Sequence, residues 1–260
     1  MDRRQMLAAL GASALMDFAS QAATTTNTFL ELKTWRLHNT REDQAARVAD
    51  YLETGLAPGL QRAGAKLAGC FSNVIGPDGP YYVTLAQFAS LAAIEDALAK
   101  LRADEGYQRT LKKMDSSPGL PFVRVESSIL RRFDSMPEPL SADTTERRPP
   151  RIFELRTYES QSFTALTRKI AMFNGGEIEI FRRLGMRPVF FGETIAGPKQ
   201  PNLMYMLSYD DLAARDKLWQ DFGNDPEWKK LSGRPELKDS EIIANISNVI
   251  LRPLTFSAIR

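Results

Sequence analysis

The chain has 260 residues, 43% of them hydrophobic and 25% charged, with 34 Lys and Arg against 32 Asp and Glu. This is globular composition, enough for one large domain or two of about 120 residues, and the near-balance of charge gives no bulk attraction to nucleic acid or an anionic membrane. A single Cys excludes an intrachain disulfide, a zinc ribbon and a dithiol redox pair, and a single His excludes any site needing two His ligands.

The chain opens Met1-Asp2-Arg3-Arg4-Gln5-Met6-Leu7, continues as an apolar stretch to Met16, and reaches small residues at Ala19 to Ala23. A basic start, a short apolar core and small residues before a cut site describe a secretory signal, and the paired arginines resemble a bacterial twin-arginine signal. The apolar run of about 11 residues is too short to span a bilayer. Residues 1–22 are therefore expected to be removed, leaving a periplasmic or secreted protein with no stable membrane insertion. Two Arg and two Asp leave with them, so the net charge stays +2. The alternatives are a disordered, mildly basic leader or a cytoplasmic amphipathic helix.

Residues 135–150 are rich in Pro and polar side chains and read as a linker. The two sides of it match. Glu31-Leu32-Lys33-Thr34-Trp35 parallels Glu154-Leu155-Arg156-Thr157-Tyr158, Gly64 parallels Gly185, and Gly76-Pro77 parallels Gly197-Pro198. Leu91-Ala92-Ala93 parallels Leu212-Ala213-Ala214. The offset drifts only from 123 at Glu31 and Glu154 to 120 at Arg132 and Arg252. Register kept over a whole half indicates an internal duplication, with repeats at 28–134 and 151–260.

In the first repeat, Thr28 to Leu37 alternates as a strand. Val48, Leu52, Leu56, Leu60 and Ala63 recur at helical spacing, with Thr40 or Asp43 as the cap and Gly64 as the stop. Lys66 to Ile75 and Tyr81 to Ser90 read as strands joined at Gly76-Pro77-Asp78-Gly79-Pro80. Leu91 to Met114 reads as a helix broken near Asp104 to Gly106, and Phe122 to Phe133 as a closing strand. The second repeat follows suit. Arg151 to Tyr158 is a strand, and Leu166, Ile170, Phe173, Glu177, Phe181 and Leu184 trace a helix that Gly185 stops. Arg187 to Ala196 and Leu203 to Tyr209 form a hairpin. Asp211 to Phe222 and Pro226 to Leu231 are helical, and Glu241 to Phe256 is the last strand. Each repeat is thus a ferredoxin-like α+β unit, a four-stranded antiparallel sheet with helices on one face. Two such units in one chain are expected to close their bare sheet faces on each other as a barrel.

The Glu154-Leu155-Arg156-Thr157-Tyr158 strand, the Gly185-Met186 turn, the Gly197-Pro198 hairpin, the aromatic strand Leu203 to Tyr209, and Trp219 with Asp225-Pro226-Glu227-Trp228 resemble the NIPSNAP family. The resemblance is close over 151–256 and weaker over 28–134. It implies the dimeric α/β-barrel superfamily, here made within one chain, and carries no particular reaction.

Alternation puts Glu154, Arg156 and Tyr158 on one strand face, and Glu31, Lys33 and Trp35 on the equivalent face of the first repeat. With Leu30, Leu32, Phe153 and Leu155 expected to pack under helices, the charged rows are expected to point into the barrel. Two readings stand: internal ion pairs that fill the barrel, or polar groups of a binding cavity that Tyr205 and Phe191 also line. Arg132 and Arg252 add charge on the closing strands or lie exposed at a sheet end. Trp219 and Trp228 read as core. His38 reads as an exposed turn residue, although the superfamily also holds haem-degrading enzymes. Cys70 reads as a buried thiol, and Asp210-Asp211 as a turn and helix cap. Gly175-Gly176-Glu177 lacks the Lys-Ser/Thr of a phosphate loop. No metal site and no cofactor are expected. The reading that follows is a protein binding a small, partly apolar molecule in a barrel cavity, as a monomer or homodimer. A cofactor-free or haem-linked monooxygenase-like enzyme and an interaction protein with a filled barrel are the alternatives.

Overall fold

Four residues with short polar side chains start the main helices. Asp43, Ser90, Ser162 and Asp211 each accept a hydrogen bond from the backbone N–H three residues on, which satisfies a donor the helix itself leaves free. The structure is a computed structural model that describes residues 29–39, 43–116, 118–136 and 151–260. The expected export signal, Thr40 and most of the linker lie outside them. In the first repeat, β1 (Phe29–Arg36) leads to α1 (Gln44–Tyr51), a π-helical turn (Leu52–Leu56) and α2 (Ala57–Ala63). Then come β2 (Lys66–Ile75), β3 (Tyr81–Phe88), α3 (Leu91–Ala103), α4 (Glu105–Ser116) and β4 (Arg124–Arg132). The second repeat has β5 (Ile152–Glu159), α5 (Phe163–Met172), a π-helical turn (Phe173–Glu177) and α6 (Ile178–Arg183). It continues with β6 (Arg187–Ala196), β7 (Asn202–Tyr209), α7 (Leu212–Asn224), α8 (Pro226–Ser232), α9 (Asp239–Ile242) and β8 (Asn245–Pro253). Gly64 and Gly185 both end their helices at φ near +88° and +87°, a left-handed conformation that disfavours any side chain.

The strands form a closed barrel in the order β1-β3-β2-β8-β5-β7-β6-β4. The repeats join at β2–β8 and β4–β6, so neither sheet keeps a free edge. Every neighbouring pair is antiparallel, which makes β1 and β5 run the same way. Four steps apart in a ring of eight, β1 and β5 also face each other across the lumen. The β2–β3 and β6–β7 hairpins therefore crown the same end of the barrel.

Three hydrophobic layers result. One fills the lumen and draws on both repeats: Leu30, Leu32, Phe71, Leu85 and Leu130 meet Phe153, Leu155, Phe190, Met206 and Leu251. The other two lie outside the barrel, between each sheet and its own helices. This corrects the expected facing. Leu30, Leu32, Phe153 and Leu155 point into the lumen, and the rows Glu31-Lys33-Trp35 and Glu154-Arg156-Tyr158 point out toward the helices. Tyr205 and Phe191 likewise pack in the outer layer of the second repeat. The reason is solvation. A lumen enclosed by eight strands offers a buried carboxylate few partners, whereas on the helix side α7 supplies Glu154 with the Arg215 and Trp219 donors. Among the described residues no helix is long and apolar enough to cross a membrane.

Candidate functional site

In the second repeat the charged row sits beneath α7. The Glu154 side chain is fully buried. It accepts hydrogen bonds from Arg156 Nη1 at 2.8 Å, Arg215 Nη2 at 2.6 Å, Arg215 Nε at 3.1 Å, Trp219 Nε1 at 3.0 Å and Asn248 Nδ2 at 2.7 Å. The Tyr209 hydroxyl adds a longer one at 3.4 Å. Burial alone would raise the pKa of this carboxyl. The Arg215 hydrogen bonds, the Arg156 charge and the Asn248 and Trp219 donors outweigh it and hold the group below the usual carboxylate range. With its lone pairs committed, Glu154 is an anchor and is poorly placed to take a proton from a substrate.

Arg156 continues the network. Its Nη2 donates to the Tyr158 hydroxyl at 3.2 Å, which also accepts from the Tyr205 hydroxyl at 2.8 Å. The guanidinium carbon lies 4.6 Å from the centre of the Trp219 ring. Tyr205 stacks on Phe191 with ring centres 4.8 Å apart and planes 4° from parallel. Deeper in the same layer Lys169 Nζ meets Glu177 at 2.8 Å, with both side chains buried. The rings of Tyr158, Phe173 and Trp228 surround the ammonium. Glu177 closes the π-helical turn, and burial, only partly offset by Lys169, pushes its pKa up. The sequence carried no recognised signal for this pair. Glu177 reads as one more position on an apolar helical face.

The first repeat has the same frame with simpler chemistry. Glu31 pairs with Lys33 at 3.0 Å, and Trp35 Nε1 donates to Thr84 at 3.2 Å. The positions equivalent to Lys169 and Glu177, 121 residues earlier, are Val48 and Leu56. The five second-repeat candidates are therefore brought together in one layer, and Glu31, Lys33 and Trp35 lie in the other, across the barrel.

The space the sequence analysis assigned to these rows exists, but other residues line it. At the hairpin end of the lumen is a cavity of about 200 Å³. Its lining comes in matched pairs from the two repeats: Leu32 and Leu155, Thr34 and Thr157, Val83 and Met204, Pro77 and Pro198. Register explains the convergence. Thr34 pairs with Val83 and Glu126, and Thr157 with Met204 and Ser247, so each set shares one sheet face. The floor is aliphatic and the rim polar. The rim charges are already paired, Arg36 with Glu126 at 3.1 Å and Lys199 with Glu159 at 3.7 Å. The signal was present as the Leu-x-Thr spacing repeated in both first strands, once the facing is known.

The remaining candidates scatter. His38 is exposed just past β1, where its backbone N–H donates to Gln44, so it faces neither inner layer and does not fit an axial haem ligand. Cys70 is buried and its thiol is pushed up to about 12 by desolvation, which removes it as a nucleophile. Arg132 is buried and Arg252 exposed. Asp211 caps α7, and Asp210 bonds Arg187 at 2.7 Å. Among the described residues no group of three His, Cys, Asp or Glu is arranged to hold a metal ion.

Solved structures resemble this chain. A proposed monooxygenase from Fusobacterium nucleatum superposes with a TM-score of 0.58 at 10% identity, covering 89% of this chain and 94% of its own. Another from Lactobacillus acidophilus gives 0.54 at 12% identity over 90% and 98%. A NIPSNAP-like domain protein from Burkholderia xenovorans is 24% identical over 41% of this chain and 88% of its own, with a TM-score of 0.37. Among curated proteins none matches this chain in sequence. The NIPSNAP family model matches twice, over residues 30–135 and 153–258, once per repeat. The chain therefore belongs to the NIPSNAP family, as a tandem of two repeats closed into one barrel.

Proposed function

We propose that this protein is exported and binds a small, partly apolar molecule in the mouth of its barrel. The observation that carries the reading is the cavity of about 200 Å³ with an aliphatic floor and a hydroxyl-bearing rim, built from both repeats. That size suits a ligand smaller than a drug molecule. A barrel filled by its own side chains would leave no such space. The likeness to monooxygenases is one of fold alone. The best-connected carboxylate, Glu154, is committed to structural donors, so binding is the better-supported reading.

The test is native mass spectrometry on protein purified from its own host, with the Met204→Trp variant beside it. A co-purifying small molecule in the parent chain, lost when the indole fills the cavity, is the expected result. A parent chain that carries nothing and binds no member of a neutral-fragment library, or a ligand that persists undiminished in the variant, overturns the reading. Export is expected to depend on the paired arginines. Replacing Arg3 and Arg4 together by Lys leaves the protein in the cytoplasmic fraction, and an unchanged distribution counts against the twin-arginine route.

A further inference from the structure

Resting on the binding reading above, the geometry points to a ligand class: we infer that the barrel mouth takes a short, neutral, apolar molecule carrying an oxygen at each of two opposite ends. Three observations converge on it. First, Thr34 and Thr157 lie on β1 and β5, at matched positions of the repeat, and these strands face each other across the lumen. Each hydroxyl both donates and accepts, and neither has a side-chain partner among the described residues, unlike the Thr84 and Thr194 hydroxyls, which bond Trp35 and Asn202. Unpartnered hydroxyls on residues that line a cavity are inexpensive only when water or ligand oxygen reaches them.

Second, much of the rest of the lining is hydrocarbon. Leu32, Leu155, Val83, Met204 and Val249 supply it, with Ser128 beside Leu32, so most of the body of the ligand is apolar. Third, the rim carries no spare charge. The Arg36 guanidinium is held by Glu126 and by the carbonyls of Pro77 and Asp78, and Lys199 lies between Glu159 and Ser247. An anion or cation entering the mouth would lose hydration and gain no unpaired counter-charge. The near two-fold relation of the repeats adds the last element. A site with equivalent donors on opposite walls matches a molecule with equivalent ends.

The experiment titrates the intact chain with trans-1,4-cyclohexanediol, cyclohexanol and trans-1,4-cyclohexanedicarboxylate, following methyl resonances of the cavity leucines, valines and Met204. The diol is expected to bind about fivefold more tightly than cyclohexanol, the worth of one further hydrogen bond. The dicarboxylate is expected to bind more weakly than either. Thr34→Val and Thr157→Val each then cut diol affinity about fivefold but cyclohexanol affinity only about twofold, because the mono-alcohol has two equivalent orientations and loses one. Thr34→Ser and Thr157→Ser, which keep the hydroxyl, retain the diol preference and separate a lost hydrogen bond from lost packing. Equal affinities for diol and cyclohexanol, or preference for the dicarboxylate, overturn the ligand class while leaving the cavity as a binding site. If none of the three shifts the cavity methyls, both the class and the binding reading fall.

Discussion

Glu154→Gln destabilises the folded chain by about 3 kcal/mol or more, whereas Glu31→Gln, the same substitution at the equivalent position of the first repeat, costs under about 1 kcal/mol. The two glutamates begin matching sequence motifs but differ in company. Glu31 has one close cation, Lys33, in a partly exposed pair. Glu154 is buried among Arg156, Arg215, Trp219 and Asn248, and removing its charge leaves two guanidinium groups facing a neutral amide that also presents its own donors. Urea midpoints, followed by tryptophan fluorescence and far-UV circular dichroism, read the difference, and equal losses at the two positions would refute it. The pH dependence has a definite sign. The folded-state pKa of Glu154 lies below its unfolded value, so its stabilisation is complete above the unfolded pKa of about 4.3 and is lost as pH falls through the folded one. The gap between parent and Glu154→Gln should therefore narrow on acidification.

The duplication, the order of the eight strands and the main helices, and closure into a barrel were legible in the sequence, because each depends on local periodicity or on punctuation repeated in both halves; the short helix α9 (Asp239–Ile242) was not, and takes the residues expected to begin the last strand, which starts at Asn245. Asp43, Gly64, Gly185 and the Gly76-Pro77 and Gly197-Pro198 turns stand where the pattern placed them. The facing of β1 and β5 was not legible. Alternation divides a strand into two faces without saying which is inside, and a barrel wrapped in helices buries both. The presence of Glu and Arg made the charged face look like a lumen, yet the decisive fact is where partners lie, and Arg215, Trp219 and Asn248 are distant in sequence from Glu154. The residues that line the cavity were missed for the same reason. By alternation Thr34 and Thr157 share the face of Leu32 and Leu155, which was expected to pack under helices. The Lys169–Glu177 pair was hidden more deeply, since a lysine and a glutamate eight residues apart lie about two turns apart on a regular helix, and here the chain between them departs from it at Gly176, with φ near +150°.

That pair yields the sharpest contrast between the two repeats. Lys169→Val leaves Glu177 buried without its cation, and Glu177→Leu leaves Lys169 enclosed by Tyr158, Phe173 and Trp228 without its anion. Each single change is expected to cost about 3–5 kcal/mol. The double change installs the Val48 and Leu56 of the first repeat, where the same frame packs around aliphatic side chains, and is expected to be neutral or stabilising by about 1–4 kcal/mol. The sign of the coupling follows from desolvation. Either charge alone bears the full cost of burial, the pair offsets much of it, and an apolar pair avoids it. The Lys169→Val defect also depends on pH. Burial already raises the Glu177 pKa, and loss of Lys169 raises it further, so the folded variant takes up a proton at higher pH than the unfolded chain does. The defect is then greatest at neutral pH and shrinks as pH falls toward the unfolded carboxylate pKa. A double-mutant cycle of urea midpoints at two pH values measures both effects. A double variant as unstable as the sum of the singles would show that the second repeat cannot accept the packing of the first. A stable double variant that still binds ligand at the barrel mouth would instead assign the ion pair to the fold of its own layer, separate from the cavity on the other face of the sheet.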